Sequence, residues 1–134
     1  MSKRLFRIVD ANFNRAKEGL RVCEDICRFI LDEQKLTRRF KIVRHELTDV
    51  METLKIIDVI EARNIEEDVG RASIAAESKR KNVSDIFYAN AQRVKESLRV
   101  LEEVTKLLDG RLAQRVKKLR YQVYALEKQM LARC

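Results

Sequence analysis

The most constraining feature of this sequence is an internal repeat, in which residues 89–103 copy residues 11–25. At a constant offset of 78, nine of these fifteen positions are identical. The similarity resumes at an offset of 76, where residues 39–47 correspond to residues 115–123. A repeated unit of this size is a supersecondary element that buries its apolar face against its own copy. The sequence therefore predicts two copies of one helical hairpin.

Apolar residues recur in alternating steps of three and four along both copies, as in helices with one buried face. The chain has no Pro and only three Gly, a composition that also favours helices. We predict a first helix ending near Asp32, a second from about Lys35 to Ala62, a third beginning near Ser84 and a fourth after a terminus at Gly110. The predicted buried positions are Phe13, Ala16, Leu20, Cys23, Cys27 and Ile30, then Leu36, Phe40, Val43, Leu47, Val50, Leu54 and Ile57, then Phe87, Ala91, Val94, Leu98, Leu101 and Leu108, and finally Leu112, Val116, Leu119, Val123, Leu126 and Met130.

Four such helices, joined by short, long and short connections, define the expected fold. We predict an all-α, antiparallel four-helix bundle made of two sequence-related helical hairpins with an internal pseudo-twofold. The whole chain, residues 1–134, is expected to form a single domain. Within it, hairpin one covers about 4–62, a functional loop about 63–82 and hairpin two about 83–132.

The charge of the chain narrows the class of partner. Its formal net charge is +8, from 29 Lys and Arg against 21 Asp and Glu. A basic balance favours a polyanionic partner such as a phosphate-bearing small molecule, nucleic acid or an acidic surface. No apolar run reaches membrane-spanning length, and the N-terminus lacks the apolar region of a signal peptide. We therefore expect a cytoplasmic protein with no membrane partner.

Each copy places two polar residues beside its apolar stripe. On a helical wheel Asn12 falls within the stripe and Glu24 on its flank, and Asn90 and Glu102 take the same places in the copy. One interpretation is a pair of ligand-binding half-sites. Alternatively, each Asn fixes helix register, and the ladder of Glu and Arg only stabilises the helix surface. The two predicted half-sites are Asn12, Arg15, Arg21 and Glu24, and Asn90, Arg93, Arg99 and Glu102.

The segment 63–82 loses helical periodicity and is dense in charge, which is typical of functional or disordered loops. Such a segment could fold over a phosphate, with Asp68 as the catalytic base or a ligand of Mg²⁺. Glu102 is the second predicted metal ligand. The predicted phosphate contacts are Arg44, Arg63 and Arg80. The alternative is a solvated charged loop.

Four motifs, taken in order, resemble a known family. They are residues 7–25, Arg-His-Glu-Leu at 44–47, Asp-Val-Gly at 68–70 and residues 89–103. Together they are similar to the helical hydroxymethylpyrimidine-phosphate kinase domain that is often fused N-terminal to thiamine-phosphate synthase. The resemblance implies a kinase of thiamine biosynthesis that transfers the γ-phosphoryl group of ATP to hydroxymethylpyrimidine phosphate. It also implies ATP and Mg²⁺ as cofactors and a thiamine-phosphate synthase domain or protein as a partner.

The residues themselves leave two other functions open, because the sequence has no P-loop, dinucleotide fingerprint or hydrolase motif. One is a non-catalytic basic bundle that binds nucleic acid or a protein. An aromatic content of 6% leaves few stacking platforms, so nucleic acid is the less expected partner. The other is a different all-helical enzyme that binds a small anion between its helices. A homodimer is compatible with each of these functions.

Overall fold

The computed structural model describes residues 2–72 and 79–133, which contain helices and no β-strand. Helix α1 spans Ser2–Asp25 and continues into a π-helical turn, Ile26–Ile30. The other helices are α2 (Gln34–Thr53), α3 (Ile56–Glu61), α4 (Val83–Leu108) and α5 (Gly110–Met130). The predicted all-helical bundle is confirmed, and the described residues form four long helices and one short one.

The four long helices pack in the order α1, α4, α5, α2 around one core, and each runs antiparallel to its two neighbours. The Sγ atom of Cys23 contacts the carbonyl oxygen of Phe87, and Gly19 lies opposite Asn90, so α1 and α4 run in opposite directions. Because α2 ends beside the start of α1, and α4 starts beside the end of α1, the connection between α2 and α4 crosses the length of the bundle. Helix α3 packs on α1 within this connection.

The core follows the predicted apolar stripes closely. Nearly all the predicted positions are buried, while Leu54 and Leu108 are half-buried. The predicted burial of Ile30 is wrong, because its side chain is 59% exposed. The π-helical turn Ile26–Ile30 inserts a wider turn at this point, which rotates the last residues off the apolar face. The side chain of Ile57 lies outside the described residues.

Two predicted boundaries are also corrected. Helix α2 does not continue to Ala62, because the backbone breaks after Thr53 and Lys55 adopts a left-handed conformation with φ of 58°. Helix α3 then starts in a new direction, which allows the following segment to fold back onto α1. Gly110 begins α5 rather than ending a helix, and the side chain of Asp109 caps it by accepting from Arg111 N–H at 2.9 Å.

Gly19 is required where α1 and α4 approach. A Cβ atom there would lie 2.6 Å from Val94 Cγ2 and 3.0 Å from the carbonyl oxygen of Asn90. We expect Gly19→Ala to lower the free energy of unfolding by about 1–2 kcal/mol, because overpacking outweighs the gain in helix propensity. Gly110→Ala is the control, since a Cβ there meets nothing within 4 Å. Urea denaturation compares the two variants, and an undiminished midpoint for Gly19→Ala would contradict the close packing.

None of the helices in the described part of the chain combines the length and the apolar character needed to cross a membrane. The thiols of Cys23 and Cys27 are fully buried in the core. Burial, with smaller contributions from Cys27 and Glu127, raises the pKa of the Cys23 thiol far above its usual range. Cys23 is therefore a protonated core residue and not a nucleophile.

Candidate functional site

A cavity of about 630 Å³ lies between the outer face of α1 and the segment that follows α3. We call it the arginine cavity. Its volume falls within the range of roughly 300–1,000 Å³ that is typical of small-molecule sites. The α1 wall consists of Arg4, Arg7, Ile8, Asp10, Ala11, Asn12, Asn14, Arg15 and Glu18, and the facing wall of Arg63, Asn64, Ile65 and Asp68.

An ion pair between Asp10 and Arg63 fixes the facing wall to α1. Arg63 donates from Nε to Asp10 Oδ2 at 2.7 Å and from Nη2 to Oδ1 at 2.6 Å. Asp10 is only 6% exposed, and Asn14 donates a further hydrogen bond to its Oδ1 at 3.1 Å. The hydrogen bonds and the charge of Asp10 raise the pKa of Arg63. This two-point contact holds the cavity open at a defined width.

Three other arginines of the cavity have no acidic partner within residues 2–72 and 79–133: Arg4, Arg7 and Arg15. Asn12, which is 5% exposed, donates from Nδ2 to the carbonyl oxygen of Ile8 at 2.9 Å. Its Oδ1 faces Arg15, whose Nη1 lies 3.4 Å away. A guanidinium group matches the geometry of a phosphate or carboxylate, so the arginine cavity is suited to an anion.

Glu24 lies outside this cavity, in an ion-pair cluster between α1 and α2. Arg44 donates from Nε to Glu24 Oε1 at 2.9 Å, and Arg21 donates from Nη1 to Oε2 at 3.2 Å. The side chain of Glu24 is 2% exposed and that of Arg44 is 11% exposed. Both carboxylate oxygens are therefore occupied by arginines, which accounts for the burial of the charge.

Glu102 has the same surroundings between α4 and α5. Arg120 donates from Nε to Glu102 Oε1 at 3.1 Å, and Arg99 donates from Nη1 to Oε2 at 3.1 Å. Burial alone would lower the pKa of Arg120, but hydrogen bonds with Tyr124 and Glu102 outweigh it and raise the pKa. The repeat has thus preserved one buried carboxylate held by two arginines in each hairpin.

The structure does not bring the members of each predicted half-site together. Asn12 and Glu24 are twelve residues apart, or about 18 Å along the helix, and point about 120° apart around it. Because α1 and α4 are antiparallel, Asn12 lies at the same end of the bundle as Glu102, and Asn90 at the same end as Glu24. Of the predicted site residues, the arginine cavity includes Asn12, Arg15, Arg63 and Asp68.

The remaining predicted contacts lie elsewhere. Asn90 donates from Nδ2 to the carbonyl oxygen of Ile86 at 2.8 Å, as Asn12 does to that of Ile8, but it lines none of the five principal cavities. Arg93 is exposed and likewise lines none of them. Arg80 is exposed and donates to the carbonyl oxygen of Lys79 at 2.7 Å. The equivalence of the two copies therefore does not extend to the cavity.

The two predicted metal ligands differ in their surroundings. Asp68 accepts from Gly70 N–H through Oδ1 at 3.0 Å, while its other oxygen has no partner within the described residues. A Mg²⁺ ion is commonly held by one or two carboxylates together with phosphate oxygens and water, so Asp68 fits that role. Both oxygens of Glu102 already accept from arginines. Residues 2–72 and 79–133 contain no group of three or more His, Cys, Asp or Glu placed to bind a metal ion.

The cavity residues that sequence reasoning missed include Arg4, Arg7 and Asp10. The signal for the first two lay in the difference between the copies, because Asn82 and Asp85 stand at the matching positions of α4. Ala11 is a small residue on the same polar face, which leaves room for a ligand between the arginines. Nothing in the sequence indicates the pairing of Asp10, since its partner lies 53 residues away.

The fold and the cavity place this chain in a class of duplicated helical bundles with a cavity suited to an anion. The chain belongs to the ThiD2 family, whose model matches residues 7–129. This membership agrees with the part of the predicted resemblance that concerns a domain fused to thiamine-phosphate synthase, while the kinase activity stays a prediction.

Relatives of this chain carry the name thiamine-phosphate synthase. The protein of that name from Rhodopirellula baltica is 40% identical over 125 residues, which are 92% of this chain and 33% of the relative. The one from Synechocystis is 44% identical over 126 residues, or 93% of this chain and 36% of the relative. The chain thus spans about a third of the length of these relatives. No solved structure matches it.

Proposed function

We propose that this protein is a phosphomethylpyrimidine kinase of thiamine biosynthesis, which transfers the γ-phosphoryl group of ATP to hydroxymethylpyrimidine phosphate. The arginine cavity is the observation that carries the proposal, because three arginines in it have no acidic partner among the described residues. Family membership and relatives named thiamine-phosphate synthase support the same pathway. By the same reasoning, a thiamine-phosphate synthase domain is the partner that we propose.

The lining of the cavity matches both parts of the proposed substrate. Arg4, Arg7 and Arg15 supply positive charge for phosphate groups. Ile8 and Ile65, which are 40% and 60% exposed, offer an apolar surface to a flat heteroaromatic ring. A substrate with a ring at one end and a phosphate at the other would be oriented by this arrangement.

Phosphoryl transfer requires positioning and neutralisation of charge more than covalent chemistry from the protein. The arginines would neutralise the phosphates, and Asp68 would accept the proton of the attacking hydroxyl or hold Mg²⁺ between phosphate oxygens. When bound, Mg²⁺ supplies charge neutralisation for the transferred group. The ion pair of Asp10 with Arg63 positions the segment that carries Asp68 against α1.

Release of ADP in the presence of hydroxymethylpyrimidine phosphate and Mg²⁺, measured with a coupled assay, tests the proposal. We expect substrate-dependent turnover, and Asn12→Ala should reduce kcat/KM by about tenfold or more, because Asn12 orients Arg15. Asn90→Ala is the matched control, since Asn90 makes the equivalent backbone contact outside the cavity. Folded protein without turnover would refute the kinase, and equal losses in both variants would refute the assignment of the cavity.

A further inference from the structure

A second cavity, of about 480 Å³, opens at the turn of the first hairpin. We call it the turn groove. Arg28 on its rim lies thirteen residues beyond Arg15 of the arginine cavity, or about 20 Å along the bundle. The two cavities are therefore separate. The turn groove is lined by Glu24, Arg28, Asp32, Glu33, Gln34, Thr37, Arg38 and Lys41.

The turn groove has an excess of positive charge, because two of its three carboxylates are neutralised by ion pairs with arginines. Glu24 is held by two arginines, and Glu33 accepts from Arg133 Nη1 at 3.1 Å. Asp32 is the one lining carboxylate without an ion pair in the described part of the chain. Three basic side chains make no ion pair with any described carboxylate: Arg28, Arg38 and Lys41. Three unpaired cations around one concave surface favour an anionic ligand.

The second hairpin contains the equivalent groove in a reduced form. Its volume is about 280 Å³, and its floor is Glu102 where the turn groove has Glu24. Lys106, which replaces Arg28, is paired with Glu103 at 2.9 Å, and Gln114 replaces Arg38. Lys117, the counterpart of Lys41, is the one lining cation of this smaller groove without an ion pair among the described residues, so the cationic character is stronger in the first copy.

The turn of the first hairpin is also longer than closing a hairpin requires. Three residues, 31–33, join the π-helical turn Ile26–Ile30 to α2, whereas a single residue, Asp109, joins α4 to α5. Turns of π-helix occur frequently at functional sites. Helix α2 also begins at this groove without a side-chain cap, which adds unpaired N–H groups to the basic side chains. The first hairpin therefore has a longer and less regular turn than the second.

We propose that the turn groove is a second binding site, which takes the di- or triphosphate group of a phosphorylated ligand. A single phosphate could be held by two of the three cations, whereas a chain of phosphates engages Arg28, Arg38 and Lys41 together. This site is independent of the kinase proposed above, because it lies at the opposite end of the bundle.

Calorimetric titration with inorganic tripolyphosphate tests this site. All measurements use the full chain carrying Arg15→Gln, which weakens the arginine cavity. We expect the additional change Arg38→Gln with Lys41→Gln to raise Kd by at least tenfold, because it removes two of the three cations. The control is Lys117→Gln with Lys118→Gln, which removes the same charge from the second hairpin and should change Kd by less than twofold.

Three outcomes would overturn the proposal. Equal weakening in both double variants would indicate attraction to the net charge alone. Unchanged affinity in the Arg38 and Lys41 variant would show that tripolyphosphate binds outside the turn groove. Undetectable binding to the parent Arg15→Gln chain would show that the turn groove is not a binding site. This experiment measures binding and no turnover. A negative result here therefore does not contradict the proposed kinase, and absence of kinase activity would not contradict the turn groove as a binding site.

Discussion

Replacing Arg44 by alanine is expected to lower the free energy of unfolding by about 3 kcal/mol, the largest effect on stability predicted for this protein. The reason is that the Glu24 carboxylate would stay buried with less compensation of its charge. Glu24 is 2% exposed, and without Arg44 it keeps only the contact from Arg21, whose side chain is 54% exposed. Urea denaturation monitored by circular dichroism measures the change. Arg120→Ala in the second hairpin should produce a comparable loss, because Glu102 is held in the same way.

Two further variants show whether buried charge is the cause. Arg21→Ala should cost less than about 1 kcal/mol, since the Arg21 side chain is 54% exposed and Glu24 keeps its contact with Arg44. The double variant Glu24→Leu with Arg44→Leu should lose less stability than Arg44→Ala, because it leaves no buried charge unpaired. If the double variant were the less stable of the two, the cost would lie in lost packing and the explanation would be wrong.

The fold was predictable because its main determinant is periodic and local. Steps of three and four define the buried faces of all four long helices, and the internal copy indicates that the hairpins are alike. The errors arose where the backbone departs from regular geometry. The π-helical turn exposes Ile30, and the left-handed residue Lys55 divides the predicted second helix. Neither conformation has a clear sequence signal, because Lys is not a residue that favours positive φ.

The candidate site was less predictable, because the repeat was taken as the mark of function. Among the positions that both copies share, Glu24 and Glu102 are buried carboxylates that pair with the exposed Arg21 and Arg99 and stabilise each hairpin. The arginine cavity and the turn groove each combine repeated and unrepeated cations, because Arg15 and Lys41 have basic counterparts in the second copy and Arg38 does not. A duplicated fold needs the same stabilising contacts twice, whereas a ligand site is needed only once. Differences between the copies, such as Arg4 and Arg7 against Asn82 and Asp85, therefore add information on the proposed sites that the repeat alone does not contain.

Arg15→Ala is expected to reduce kcat/KM of the proposed kinase by about 10²–10³-fold, the largest effect on activity that we predict. Arg15 lines the arginine cavity, has no acidic partner among the described residues and is oriented by Asn12. Its guanidinium group would act on phosphate charge that increases in the transition state. Because the side chain is exposed, the variant should keep its Tm. The ADP-release assay and a thermal melt together measure both effects.

Arg93→Ala is the matched control, because the repeat places Arg93 at the same position of α4 and it is equally exposed. It lines none of the five cavities, so its removal should change kcat/KM by less than twofold. The two variants lose the same charge, and a general effect of net charge on substrate attraction would therefore appear in both. Equal losses would therefore indicate an effect of net charge and would contradict the assignment of the site to the arginine cavity. A loss in Arg15→Ala alone would place the chemistry on the first copy.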